Sequence, residues 1–233
     1  MTIVNSTLLE GQTGGNVLAW PDGHFIVVWN SYPDGSTPDN EGQDGFGSGV
    51  YGQLFDANGD RIGSEFQMNQ QGYGQESHSN SILRDDGNLV VAWRDYWRSD
   101  FRVFDSDGTP ETDDVILNGS DSSWTPSSVA TTSGGALLFV GDDLRGQWVH
   151  PWAVLDGALF DMCPDCTTSD PIKPQLARLS DNSMVLSWRG DSEAAEENVY
   201  VDKLGADGVA MADPLPANTC EHTGTPLLRA LPD

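Results

Sequence analysis

The residues best suited to chemistry in this chain are acidic, aromatic or thiol-bearing, and each set points to a different kind of site. The segment PDGSTPDNEGQDGFGSG holds Asp34, Asp39, Glu41 and Asp44 among glycines. Crowded carboxylates on such a loop repel one another, and a bound Ca²⁺ would offset that repulsion, so calcium is the expected ion. A merely solvated acidic loop is the alternative, and it is slightly favoured. A second acidic stretch, FDANGD, places Asp56, Asn58 and Asp60 at alternate positions. Arg61 stands where a calcium loop of the EF-hand kind needs glycine, so a structural turn is the expectation there.

The three cysteines are Cys163, Cys166 and Cys220. With His222 they spell C-x2-C followed by C-x-H, the donor set of a Cys₃His zinc site. An exported protein would instead oxidise them, as Cys163–Cys166 or Cys166–Cys220. Disulfide, zinc and free thiols stay open, with the disulfide favoured. The segment RDYWRSD, Arg94–Asp100, sets Tyr96, Trp97 and Arg98 together. Indoles beside charged groups stack on sugar rings, whose C–H faces are apolar and whose hydroxyls need polar partners. Trp124 and Trp148 are placed in loops on the same reasoning and join the expected ligand-binding set, with packing of such tryptophans on their own blade as the favoured alternative. No H-E-x-x-H, G-x-S-x-G or phosphate-binding glycine loop occurs, so the expectation is a protein that binds without catalysing. Paired carboxylates of the glycosidase kind cannot be picked out of 36 acids by sequence.

What must position these groups is a repeated phrase. PDGHFIVVWN (Pro21–Asn30), DDGNLVVAWR (Asp85–Arg94), SGGALLFVGD (Ser133–Asp142) and SDNSMVLSWR (Ser180–Arg189) share one plan. Each has a tight turn of Asp, Gly, Asn or Ser and then an unbroken apolar strand, which implies a strand covered on both faces. A short strand precedes each phrase and another hairpin follows it. The strand-ending Trp29, Trp93, Gly141 and Trp188 stand 64, 48 and 47 residues apart. Four strands at that period predict an all-β, β-propeller-like array of four-stranded antiparallel blades, about four full repeats with partial strands at the ends.

The expected divisions are a terminal strand over 1–15 and repeats over 16–78, 79–126, 127–173 and 174–224. A further first strand follows over 225–233. The acidic insertion 31–49 lengthens the first repeat.

DGHFIVVWNSYPDG and GQDGFGSGVYGQLFDANGDRIGSEFQMN resemble bacterial secreted and surface repeat proteins of the DG-x-F-V-V-x-W…Y-x-x-R-F-D-x-x-G type. The likeness is close over Asn16–Asn69, fair over Ser79–Asn118 and weak beyond. It implies a propeller and an extracellular or cell-surface location, although no signal peptide is visible at the N-terminus.

Charge narrows the partners. Against the 36 acids stand 11 basic residues, a net charge of −25, which repels phosphate backbones and anionic membranes. No apolar run approaches the ~20 residues of a spanning helix. Nucleic acid and membrane insertion are therefore excluded. The reading that results is an extracellular adhesion or binding module for a glycan or protein ligand. A structural spacer and a polysaccharide-active hydrolase or lyase are its alternatives.

Overall fold

The structure, a computed structural model, describes residues 3–6, 11–33, 43, 47–70, 76–95, 98–117, 124–162, 172–191, 197–211 and 215–216. They form two compact units, residues 1–123 and 124–233. Each unit carries two antiparallel sheets of four strands, connected in chain order.

In the first unit, one blade consists of β1 (Gly11–Ala19), β2 (Phe25–Tyr32), β3 (Gly49–Phe55) and β4 (Arg61–Gln67). The next consists of β5 (Ser77–Leu83), β6 (Leu89–Arg94), β7 (Ser99–Phe104) and β8 (Val115–Ile116). The division expected between residues 15 and 16 falls inside β1. Gly14, at φ +61°, makes a bulge there that reads in sequence as a turn.

The hairpin turns explain why the phrase recurs. In the first, Trp20 N–H donates to His24 O, and Gly23, at φ +95°, closes the turn onto Trp20 O. Asp56 does the same work one turn later: its Oδ1 accepts the N–H groups of Asn58 and Asp60, both at 2.9 Å. FDANGD is thus a carboxylate-capped turn.

The middle strands are the buried ones. All of β3 and β7 is buried, and β6 is buried except for Arg94. Ile26, Val28, Val50, Leu54 and Met68 of the first blade pack with Leu89, Val91, Trp93 and Phe104 of the second. Trp20 also reaches across, donating from Nε1 to Gly87 O at 2.7 Å.

The second unit repeats the plan with β9 (Pro126–Thr131), β10 (Leu137–Gly141), β11 (Arg145–Val149) and β12 (Leu155–Asp161). Its other blade has β13 (Ile172–Arg178), β14 (Met184–Asp191), β15 (Glu197–Leu204) and β16 (Leu215–Pro216). Leu138 and Val140 pack with Met184, Leu186 and Trp188.

One polar position recurs in the third strand of every blade. Gln53 lies opposite Val27, Arg102 opposite Val91, Gln147 opposite Phe139 and Asp202 opposite Leu186. All four are buried. The glutamines stitch a slip in register between the third and fourth strands. Gln53 donates to Leu54 O and Ile62 O at 2.9 and 3.1 Å. Gln147 donates to Trp148 O, Asp156 O and Gly157 O at 2.9, 3.4 and 3.3 Å. A bulge frees carbonyls that the ladder no longer satisfies, and the buried amide takes them up.

Candidate functional site

The aromatic residue that ends the second strand has a preferred partner. Trp29 lies opposite Tyr51 and stacks on it, with ring centroids 6.4 Å apart and 27° between planes. Trp188 lies opposite Tyr200 and stacks at 5.6 Å and 19°. In the second blade the same register sets Trp93 opposite Asp100. A carboxyl occupies the place of a phenol ring.

That carboxyl is 1% exposed. Burial beside the indole raises it from the ordinary value of 3.8 to about 6, and the negative charges of Asp114 and Asp95 push the same way. Arg98 opposes them, its Nε 2.8 Å from Asp100 Oδ2. Asp100 Oδ1 has no hydrogen-bond partner. Asp114 in turn accepts from Gln70 N–H at 2.9 Å and stands 4.0 Å from Arg102 Nε. Arg102 is held by Met68 O and Thr112 O. A line of two arginines and two aspartates therefore runs through the second blade.

The hairpin that carries Arg98 meets the start of β5. Asp95 N–H donates to Arg98 O at 2.9 Å, while Ser77 pairs with Arg94 and Arg94 with Ser99. Glu76, 3% exposed, directly precedes Ser77. Glu76, Asp95, Arg98 and Asp100 thus gather at one end of one sheet. Chemically, this end offers a carboxyl that holds its proton nearly to neutrality, further carboxyl groups and a guanidinium with a side chain 27% exposed.

Of the residues expected to bind a ligand, Arg98 belongs to this end, and Tyr96 and Trp97 lie outside the described residues. Trp124 needs correcting. It is 1% exposed, its Nε1 donates to Arg145 O at 3.2 Å, and its indole occupies the space a side chain at Gly141 would take. It replaces the tryptophan that the third repeat lacks. Trp148 needs correcting too, because it sits in β11 and not in a loop. It packs on the core of its unit and donates to Asp207 O at 3.1 Å. Trp152, 85% exposed in the turn after β11, is the open indole near His150.

Asp34, Asp39, Glu41 and Asp44 lie outside the described residues, as do Cys163, Cys166, Cys220 and His222. Among the described residues no three metal-binding side chains cluster closely enough to hold an ion. Asp100 and Glu76 were not singled out by sequence reasoning. The available signal was positional: aligning SDFRVF with GVYGQLF puts Asp100 on Tyr51.

No protein-family model matches this chain, and no curated protein matches it. Solved structures do. A protein of unknown function from Dyadobacter fermentans superposes with a TM-score of 0.64 at 16% identity, over 93% of this chain and 67% of that one. The GH93 α-L-arabinofuranosidase of Fusarium graminearum, solved with arabinobiose, gives 0.58 at 11% identity, over 86% and 59%. A putative exo-β-1,3-galactanase from Bifidobacterium bifidum gives 0.55 at 11%, over 93% and 74%. The chain thus spans about three fifths of the arabinofuranosidase. These identities establish the fold, an all-β set of propeller-type blades.

They also correct two expectations. The expectation of a non-catalytic adhesion module loses its ground, because glycoside hydrolases share this fold and the absence of a motif such as G-x-S-x-G does not speak against catalysis. Their chemistry needs carboxyl groups set by geometry, which leave no local signature.

Proposed function

We propose that this chain is a polysaccharide-active hydrolase, with the hairpin end of the second blade as its catalytic end and Asp100 as proton donor. One observation carries the reading: a buried carboxyl raised to about 6 stands where two sister blades place a stacked tyrosine. Breaks in a structural rule of this kind gather at functional sites.

Glycoside hydrolysis needs one carboxyl that protonates the leaving oxygen and one carboxylate that activates water or attacks the anomeric carbon. Asp100 suits the first task, since the donor must still carry its proton near working pH. Glu76, at the same end, suits the second. Arg98 governs access. It holds the Asp100 carboxylate while the site is empty, and a sugar that draws the guanidinium away leaves the carboxyl without its counter-charge. The proton is then held more firmly, at the moment it is needed.

The substrate is a neutral polysaccharide, because a protein carrying −25 disfavours anionic polymers. Arabinose- and galactose-containing polymers are the first candidates, by analogy with the structural neighbours. An exported setting is supported by the likeness of the repeat phrase to secreted proteins.

The test is release of reducing ends from arabinan, galactan and arabinogalactan by wild-type protein and by Asp100→Asn. The variant should lose ~10²–10⁴-fold in rate with an unchanged far-UV spectrum. Silence of the wild type on the whole panel, or an unaffected variant, would overturn the proposal.

A further inference from the structure

Every blade joins its third and fourth strands by a turn of one design. The N–H of the first residue donates to the carbonyl of the fifth, and the N–H of the fourth donates to the carbonyl of the first. The turns span residues 56–60, 105–109, 150–154 and 205–209. In three of them the fourth residue is a glycine at positive φ, namely Gly59, Gly108 and Gly208. The third residue of those turns is polar and exposed: Asn58, Asp107 or Asp207. The turn between β11 and β12 departs at both positions. Ala153 stands at φ +59°, a conformation that costs a residue with a Cβ more than it costs glycine. Trp152 takes the polar position and is 85% exposed.

The first residue of this turn differs as well. Asp56 and Asp105 cap their own turns, each Oδ1 accepting two backbone N–H groups. His150, at the equivalent place, has its Nε2 3.5 Å from Asp156 Oδ2, and the two side chains are 53% and 60% exposed. The turn thus presents an open indole with a donor and an acceptor that solvent reaches. A single exposed indole is ordinary on a protein surface. What sets Trp152 apart is that it displaces the polar residue of its sisters, in a turn that also accepts backbone strain. Departures of this kind gather at functional sites.

We infer that the β11–β12 turn is a holding site for a neutral polysaccharide, with the Trp152 indole taking the C–H face of one sugar ring and the His150–Asp156 pair meeting hydroxyls. The choice of ligand rests on the carbohydrate reading above. One indole buries about 150–250 Å² at most, which matches a sugar ring and falls far short of a stable protein interface of about 1,200 Å² or more. Asp156 and the net charge of −25 disfavour an acidic polymer. The turn belongs to the second unit and Asp100 to the first, so the holding site and the proposed catalytic end are separate parts of the chain.

The test is electrophoresis of the full chain through cold native gels that contain arabinan, galactan, arabinogalactan or polygalacturonate. At least one neutral polymer should retard the protein, and polygalacturonate should not. Trp152→Asn restores the residue of a sister turn. It should weaken retardation about tenfold or more, since a covered indole face withdraws ~100 Å² from water. His150→Ala should weaken it about two- to tenfold, the worth of one hydrogen bond. Both variants should melt with wild type. A Trp152→Asn protein that melts well below wild type would reveal an indole packed on its own blade and overturn the inference. Retardation by no neutral polymer, retardation by polygalacturonate, or retardation unchanged in either variant would overturn it too. Self-association in sedimentation that Trp152→Asn disperses, without retardation, would make a second copy of the chain the occupant and overturn it likewise. The catalytic reading is judged separately, by reducing-end release. Hydrolysis in a protein whose retardation is indifferent to Trp152→Asn refutes only the holding site. Retardation that both variants weaken, in a protein that hydrolyses nothing, refutes only the Asp100 proposal.

Discussion

Trp93 and Asp100 face each other across the β6–β7 pair, in the register that stacks Trp29 on Tyr51 and Trp188 on Tyr200. The second blade has given up a ring-on-ring contact for a carboxyl it must keep dry. Such an exchange costs stability, and the cost can be measured.

Asp100→Tyr restores the sister arrangement. The variant should gain about 0.5–1.5 kcal/mol from the recovered aromatic pair and lose polysaccharide hydrolysis altogether. Thermal melts and reducing-end release on one preparation check both halves. A variant that melts lower would show that the second blade has reshaped itself around the carboxyl.

Asp100 also sets a pH dependence. Folded, it keeps its proton to about pH 6, whereas an unfolded aspartate releases it near 3.8. Between these values the native state binds more protons, so stability falls as pH rises. The gap allows at most about 3 kcal/mol, reached above pH 6. Urea titrations should show wild type losing on the order of 2 kcal/mol from pH 4 to 7 relative to Asp100→Asn, once other groups cancel in the difference.

Gln147 serves three carbonyls at a bulge. Gln147→Leu keeps the bulk and deletes the donors, and it should destabilise the second unit by about 1–3 kcal/mol. Amide exchange should quicken first in β11 and β12. Exchange that quickens evenly along the chain would show that the bulge does not depend on this amide.

Trp124→Ala should cost about 3–5 kcal/mol, the price of an emptied core site. Sugar affinity should be unchanged in any preparation that remains folded. A drop in affinity with no loss of stability would return Trp124 to the ligand-binding set.

The blades were legible because their signals are local. A Gly or Asn in each turn and an unbroken apolar strand after it suffice to write a hairpin, and Gly23 and Gly87 do stand at positive φ. The site was not legible in the same way. Nothing near Asp100 in the chain says that it lies against Trp93, since that depends on pairing between strands. Trp124 misled for the same reason. A tryptophan between repeats looks like a loop residue until the hollow at Gly141 is seen. RDYWRSD drew attention through its aromatic residues, while its last residue, Asp100, is the one with the shifted carboxyl.

The exchange between Trp124 and Gly141 has a consequence for how such a chain can change over generations. The indole comes from the connecting segment in the third repeat and from the strand end in three others, yet the same volume is filled. Tryptophan at 141 alone would collide with Trp124, and loss of Trp124 alone would leave a void. Either step alone is harmful, and the two together are tolerable. The third blade is therefore separated from its sisters by a valley of fitness, and lineages on either side should differ at both positions or at neither.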